Sequence, residues 1–254
     1  MTSHAQSPNF SPAAGDGPGP PGGVGLYHRA LLAGLCIALF LIVVGARWWL
    51  IGGYGSDVPY WDQWDAEAAT LYKPYFEGRL KPADWFAPHN EHRIFFSRLL
   101  AFGLLQANGQ WDARLEMTVN ALIYALVCCG LFWVLARGRS LAFAATSAGG
   151  LALLFSLPFG WENSLAGFQS QFYLLTGFSL IALYGMTNGR VGSGLWALSL
   201  LSGAAALVTM ASGLLAPLAA LGFLALRAVR EWARRRRLWR ESWPTALASL
   251  LFVI

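Results

Sequence analysis

The stretch "HRALLAGLCIALFLIVVGARWWLI" (His28–Ile51) decides the fold. It exceeds the ~20 predominantly apolar residues that carry a helix across a bilayer. Inside hydrocarbon a backbone satisfies its polar groups only as a helix or a closed barrel, so a run of this length predicts a spanning helix. Similar runs follow at about 117–136, 141–160, 167–186, 193–211 and 213–228, and another begins near Pro244 and ends in "LASLLFVI". The expected fold is all-α: a polytopic helical membrane protein with about seven transmembrane helices over residues 28–254. A span that stops half-way leaves unsatisfied backbone in the bilayer. The chain is therefore expected to be a fragment of a longer fold.

Composition points the same way. Of 254 residues, 56 % are hydrophobic and 12 % charged, against roughly 25 % charged in soluble domains. Residues 1–27 read as a disordered cytosolic tail, because the Pro/Gly/Ser-rich stretch up to Gly25 buries too little to offset ordering entropy. Val44-Gly45-Ala46 loosely fits a signal-peptide cleavage site. The tail before it is long, lacks a basic cluster ahead of His28-Arg29, and is followed by more spans, so an uncleaved anchor is expected. Cys36, Cys128 and Cys129 all fall within spans and read as small core hydrophobes rather than a disulfide or thiolate framework.

Charge sets the expected topology. Arg137, Arg139, Arg190, Arg227, Arg230, Arg234–Arg237 and Arg240 follow the even-numbered spans, with only Glu231 and Glu241 among them. The positive-inside rule places these loops and the N-terminus in the cytosol and residues 52–116 outside, on the external face of a cytoplasmic (inner) membrane. Beside a span, the arginine run reads as a topology anchor that meets anionic lipid; no nucleic-acid partner is expected.

Residues 47–116 carry nine Asp/Glu and seven Lys/Arg, most of the carboxylates of the protein. Within this segment, Trp61, Trp64, Trp85, Phe86 and Trp111 suit a layer in the headgroup zone. A helix is expected from Asp62 to about Phe76, with Asp62 as N-cap and Pro74 distorting it near Lys73. Its expected apolar face is Trp61, Trp64, Ala68, Leu71, Tyr72 and Tyr75; Asp65 and Glu67 read as solvated. A second helix is expected after Pro88, with His89, Asn90 and Glu91 in its first turn and His89 and His92 sharing a face. Two histidines without a third ligand, and no His-Glu-x-x-His pattern, give no metal site, with a divalent ion as the alternative.

Asp57 lies just past the first span and precedes Val58-Pro59, so it stands outside any helix and is the candidate general base. Arg93 and Arg98 are the candidates for holding an anion such as phosphate. Gln169, Ser170 and Gln171 enter span four at its outer end, and Asn120 does the same in span two. Such amides are expected to face a polar cavity or to bond between helices.

With these residues in view, "SDVPYWDQWD" (56–65), "HNEHRI" (89–94) and "WENSLAGFQSQF" (161–172) are similar to motifs of uncharacterised bacterial members of the C-type glycosyltransferases. These membrane enzymes use polyprenyl-phosphate sugars as donors. The resemblance covers about 40–220 and implies Asp57 as the first-loop catalytic base. The His89–Arg93 cluster stands where many relatives carry a Lys-Pro-Pro or His-Pro-Pro type motif, a departure from the pattern. The resemblance further implies a glycan, lipid or protein acceptor, contact with membrane lipids and inverting transfer without a cofactor. Arg93 or Arg98 would sit at the phosphate, Asp62, His89, Glu91 and His92 would position sugar or acceptor, and Gln169 and Gln171 would line the donor cavity. The competing expectations are a transporter or flippase for lipid-linked sugars, marked by inverted repeats with broken helices, and a truncated non-catalytic remnant.

Overall fold

The computed structural model describes residues 23–234 and 239–252, and every regular element among them is helical. Helix α1 (Gly23–Tyr54) is followed by a loop layer: a π-helix (Trp64–Tyr72) that runs into the single turn α2 (Lys73–Phe76), a 3₁₀ turn (Pro82–Phe86) and α3 (Phe95–Asn108). The bundle continues with α4 (Ala113–Ala136), α5 (Leu141–Ser156), the short α6 (Trp161–Ser164), α7 (Ser170–Asn188), α8 (Gly194–Leu207), α9 (Leu215–Arg234) and α10 (Trp239–Leu251). A helix thus stands at each predicted span. Four segments are long and apolar enough to cross a membrane: Gly25–Tyr54, Ala113–Ala136, Leu141–Ser164 and Ala211–Trp232. Helix α8 is shorter, and α10 starts at Trp239 and carries Pro244 inside it rather than at its start. The expected tail lies outside the described residues up to 22, and Gly23–Tyr27 belong to α1. Arg235–Arg237 also lie outside the described residues.

Helix α1 packs on α4 and α5, α4 on α7, and α7 on α8 and α9. The first group closes around Leu39 and Val43 of α1, Ala125, Cys128 and Phe132 of α4, and Ala144 and Ala148 of α5. The second closes around Ala182, Met186, Ala216 and Ala220. Alanines dominate these seams while Ile37, Leu41, Leu126, Leu153 and Leu201 are exposed, the small-inside, large-outside arrangement of helices solvated by lipid. At Gly185 a Cβ would stand 2.5 Å from Ser199 Cβ, so glycine sets the approach of α7 to α8.

The loop layer departs from expectation in its winding. Asp62 does not cap the first helix: Gln63 is its N-cap residue, and no side chain caps the free N–H groups of the first turn. The Lys73 N–H reaches back to the Ala68 carbonyl, an i→i−5 bond, and Thr70 Oγ1 donates to the Asp65 carbonyl five residues away. The winding returns to α at Lys73, one residue before Pro74. A π-helix places residues five apart on one face, so Glu67 and Tyr72 turn inward together. Leu71 and Tyr72 are buried as expected, but Trp61 and Trp64 are exposed and Glu67 is 3 % exposed.

The second helix does not start after Pro88. Asn90 has φ +50°, and the His89 and His92 backbones exchange two hydrogen bonds of 2.8 and 3.0 Å across a two-residue turn. Helix α3 begins only at Phe95, after Ile94 at φ +44°. Two of the residues expected in a first helical turn are thus the tip of a hairpin-like turn.

Candidate functional site

The loop and the bundle enclose a cavity of about 420 Å³. One wall is the segment leaving α1. Gly55 N–H bonds to the Ile51 carbonyl at 2.7 Å, and a Cβ at Gly55 would stand 2.5 Å from that oxygen, so the helix ends here without a side chain in the way. Val58 N–H donates to Ser56 Oγ, Tyr60 N–H to Gln63 Oε1, and Trp64 Nε1–H to the Pro59 carbonyl. These bonds hold the turn that contains Trp61 at φ +48°. The opposite wall is α6 with the 3₁₀ turn Gly167–Gln169.

Tyr60, Trp61, Asp62, Trp161, Glu162, Asn163, Phe168 and Gln169 are among the lining residues. The chemistry is aromatic faces with two carboxylates and two amides. Asp62 Oδ2 lies 3.7 Å from His89 Nε2, and His89 packs edge-on against Phe168 with ring centres 5.1 Å apart. His89 Nε2 is buried without a hydrogen-bond partner, and the gap to Asp62 is wider than a direct bond. The His89 turn is itself held: His92 Nδ1 accepts from Ala211 N–H at 3.3 Å, and Phe95 N–H donates to the Val208 carbonyl. Ile94, Ala66 and Phe168 form a small buried cluster behind this wall. All three non-glycine residues with positive φ among the described residues, Trp61, Asn90 and Ile94, therefore border the cavity or its support. A β-branched residue at positive φ is a genuine outlier, and such strain gathers at binding sites held by their surroundings.

The predicted site residues separate. Asp62 and Gln169 line the cavity and His89 faces Asp62. Gln171 is buried behind Gln169, its amide donating to Gln169 Oε1 at 3.2 Å. His92 supports the turn, and Glu91 is exposed outside the cavity walls. Asp57 is also outside them: its side chain is 78 % exposed and pairs with Arg114 Nε at 2.9 Å, while Arg114 Nη2 donates to the Gly55 carbonyl. Arg93 is exposed and donates to the Phe86 carbonyl. Arg98 is 1 % exposed and its Nη1 donates to the carbonyls of Trp85, Ala87 and Arg93, fastening the loop, while its Nε and Nη2 are buried without a partner. Burial lowers the Arg98 pKa, with Asp84 acting in the opposite sense. Asn120 bonds the Gly167 carbonyl at 2.6 Å, a helix-to-loop bond rather than the cavity lining or helix-to-helix bond expected for it.

The reading of Glu67 as a solvated acid is corrected. Glu67 and Glu116 share a buried polar cluster beneath the cavity: Gln63 Nε2 donates to both, at 3.1 and 2.8 Å. Trp111 Nε1–H donates to Glu67 and the Tyr72 hydroxyl to Glu116. Burial pushes the Glu67 carboxyl up to about 7, against the bonds from Gln63 and Trp111 that favour its charged form. Burial and the two carboxylates raise the Tyr72 pKa as well. Gly167 lies against the cluster: a Cβ there would overlap Glu116 Oε2 and approach Gln63 Nε2 to 2.8 Å. Glu116 escaped the sequence reading because an acid in the first turn of a helix, after an Asp112 cap that does bond Leu115 N–H, reads as a helix-dipole partner.

Among the described residues no group of three or more His, Cys, Asp or Glu converges to hold a metal ion. Comparison with known protein families, with curated proteins and with solved structures finds no match to this chain.

Proposed function

We propose that this chain is a membrane-embedded glycosyltransferase of inverting mechanism that receives the sugar of a polyprenyl-phosphate donor in the cavity between the 55–62 loop and α6. The observation that carries the reading is the Asp62–His89 pair set into an aromatic wall beside Glu162, Asn163 and Gln169. Apolar walls with a few convergent polar groups are the general form of small-ligand sites. Rings here offer flat apolar faces to a sugar, and the carboxylates and amides offer partners to its hydroxyls. The motif resemblance adds the donor class.

An acceptor hydroxyl loses its proton as it attacks the anomeric carbon, and a positioned carboxylate accelerates that step. Asp62 is the base in this reading, with a hydroxyl of acceptor or sugar filling the gap between its carboxylate and His89 Nε2. The leaving phosphate is a weak base, with a second pKa near ~6, and needs charge stabilisation more than a proton. One base facing the leaving group gives inversion. Asp57, paired with Arg114 outside the walls, takes no part in the proton transfer of this reading.

The test is transfer from a polyprenyl-phosphate sugar by the membrane-bound full chain. Asp62→Asn should lower the rate by about 10²-fold or more, and Asp57→Asn by less. Full activity of Asp62→Asn at normal expression would refute the base assignment. A second reading, a carrier for lipid-linked sugars, draws on the buried Glu67–Glu116 pair, since buried acids of this kind serve proton relays in transporters. Sugar translocation across vesicles without transfer would favour it.

A further inference from the structure

Arg47 lies inside α1, is 7 % exposed, and has no carboxylate within ion-pair distance among the described residues. Its Nη1 donates to Ser164 Oγ at 2.6 Å, and Nη2 to the Phe155 carbonyl at 3.0 Å and the Tyr124 hydroxyl at 3.3 Å. The guanidinium also covers the Tyr124 ring at 4.7 Å. All these partners are neutral, and Nε is buried with no partner at all. A guanidinium has five N–H donors and cannot shed its charge, so this cation is held in place but not neutralised. Charged side chains at membrane depth face a cavity and pair with something.

A groove of about 280 Å³ opens beside Arg47. Tyr124 and Tyr173 stand with Arg47 at its polar end, and Leu154, Leu157 and Phe159 form an apolar side. Leu154 and Phe159 are among the exposed large hydrophobics, as residues meeting acyl chains would be. At 1.5 Å per residue Arg47 stands roughly 10 Å before the end of α1 at Tyr54, on the side of the helix end that the loop layer covers.

We infer that this groove is a binding site for the phosphate of a membrane lipid, with Arg47 as its cation, the Tyr124 hydroxyl, which accepts from Arg47, as its O–H donor and the apolar side taking the lipid chain. The Tyr173 hydroxyl is engaged with the Asn163 carbonyl. Arg93 and Arg98 stand apart from this groove, one exposed and bonded to the Phe86 carbonyl, the other buried among the carbonyls of the 85–93 loop. The site stands independently of sugar transfer. One link joins it to the glycosyltransferase reading and rests on that reading: Asn163 lines both this groove and the sugar cavity, so a phosphate at Arg47 would place an attached sugar next to the Asp62 wall.

The experiment is a native mass spectrometry titration of the purified full chain in neutral detergent, with no saccharide donor present. Dioleoyl phosphatidic acid is compared with dioleoylglycerol, and inorganic phosphate is the competitor. The wild type should bind one phosphatidic acid saturably and prefer it to dioleoylglycerol. Arg47→Gln should weaken that binding roughly tenfold or more, in line with a charge-assisted hydrogen bond. Leu154→Trp fills the groove from its apolar side and keeps Arg47 and its bonds, so it should lose the lipid even if Arg47→Gln folds poorly. Arg93→Gln should bind as the wild type does. Unchanged binding in Leu154→Trp, or equal binding of dioleoylglycerol, would overturn the site. Displacement of the lipid by inorganic phosphate at matching concentration would overturn its assignment to a lipid. Loss of transfer with lipid binding intact would count against the Asp62 chemistry alone.

Discussion

Replacing Glu67 by Gln should remove a pH-dependent loss of stability from the loop layer. Burial holds the Glu67 carboxyl at about 7 against an ordinary 4.5, so the folded protein keeps a proton that the unfolded chain releases. The sign follows: the contribution of this group is full below about pH 4.5 and is lost as pH rises through about 7. Each pH unit is worth about 1.4 kcal/mol, so the effect is on the order of a few kcal/mol, shared between Glu67 and the Glu116 carboxyl bonded to the same Gln63 amide. The amide introduced by Glu67→Gln keeps an oxygen for the donors of Gln63 and Trp111 and has no charge to desolvate at any pH. Denaturation of both proteins in neutral detergent, followed by tryptophan fluorescence, should give similar stabilities near pH 5. Near pH 8.5 the Glu67→Gln protein should be the more stable, by on the order of a few kcal/mol. Trp111 bonds Glu67 directly, so its emission should follow the same titration in the wild type only. A difference that stays constant from about pH 5 to 8.5, or a wild type indifferent to pH, would refute the buried-acid reasoning.

Gly167→Ala should destabilise by about 2 kcal/mol, because the added methyl overlaps Glu116 Oε2 and crowds Gln63 Nε2, both held by other bonds; thermal unfolding in detergent measures it. Arg98→Met should cost about 2–3 kcal/mol by leaving the carbonyls of Trp85, Ala87 and Arg93 short of a donor. It should also make the 85–93 segment the first site of limited proteolysis. Ile94→Gly sets two terms against each other. It relieves a positive φ worth about 1–3 kcal/mol but empties a wholly buried side-chain site worth about 2–5. The net expectation is a loss of about 1–2 kcal/mol in the same unfolding assay.

How far the sequence foretold this arrangement depends on which local rule each residue obeys. Spanning helices were legible because apolar length is a strong signal, and α1, α4, α5, α7 and α9 stand where the runs predict them. Asp62, His89 and Gln169 were legible as polar residues at the mouth of the bundle. What failed were statements that assumed an α-helical period. Glu67 and Tyr72 are five apart, which separates them on an α-helix and stacks them on the π-helix that forms. His89 and His92 are three apart, which suggests a shared helix face, yet Asn90 takes positive φ and folds them into a turn. Arg47 was hidden by its setting, a single cation in a run whose hydropathy still marks a span. These exceptions are not scattered. Trp61 lines the cavity and Arg47 the groove, the two hollows that share Asn163, while Ile94 packs behind Phe168 and Asn90 holds the turn of His89. Sequences depart from local preference where function or strain overrides it, so the places where periodicity misleads mark the cavity wall and its support as the part of the loop layer where tertiary packing overrules the local period.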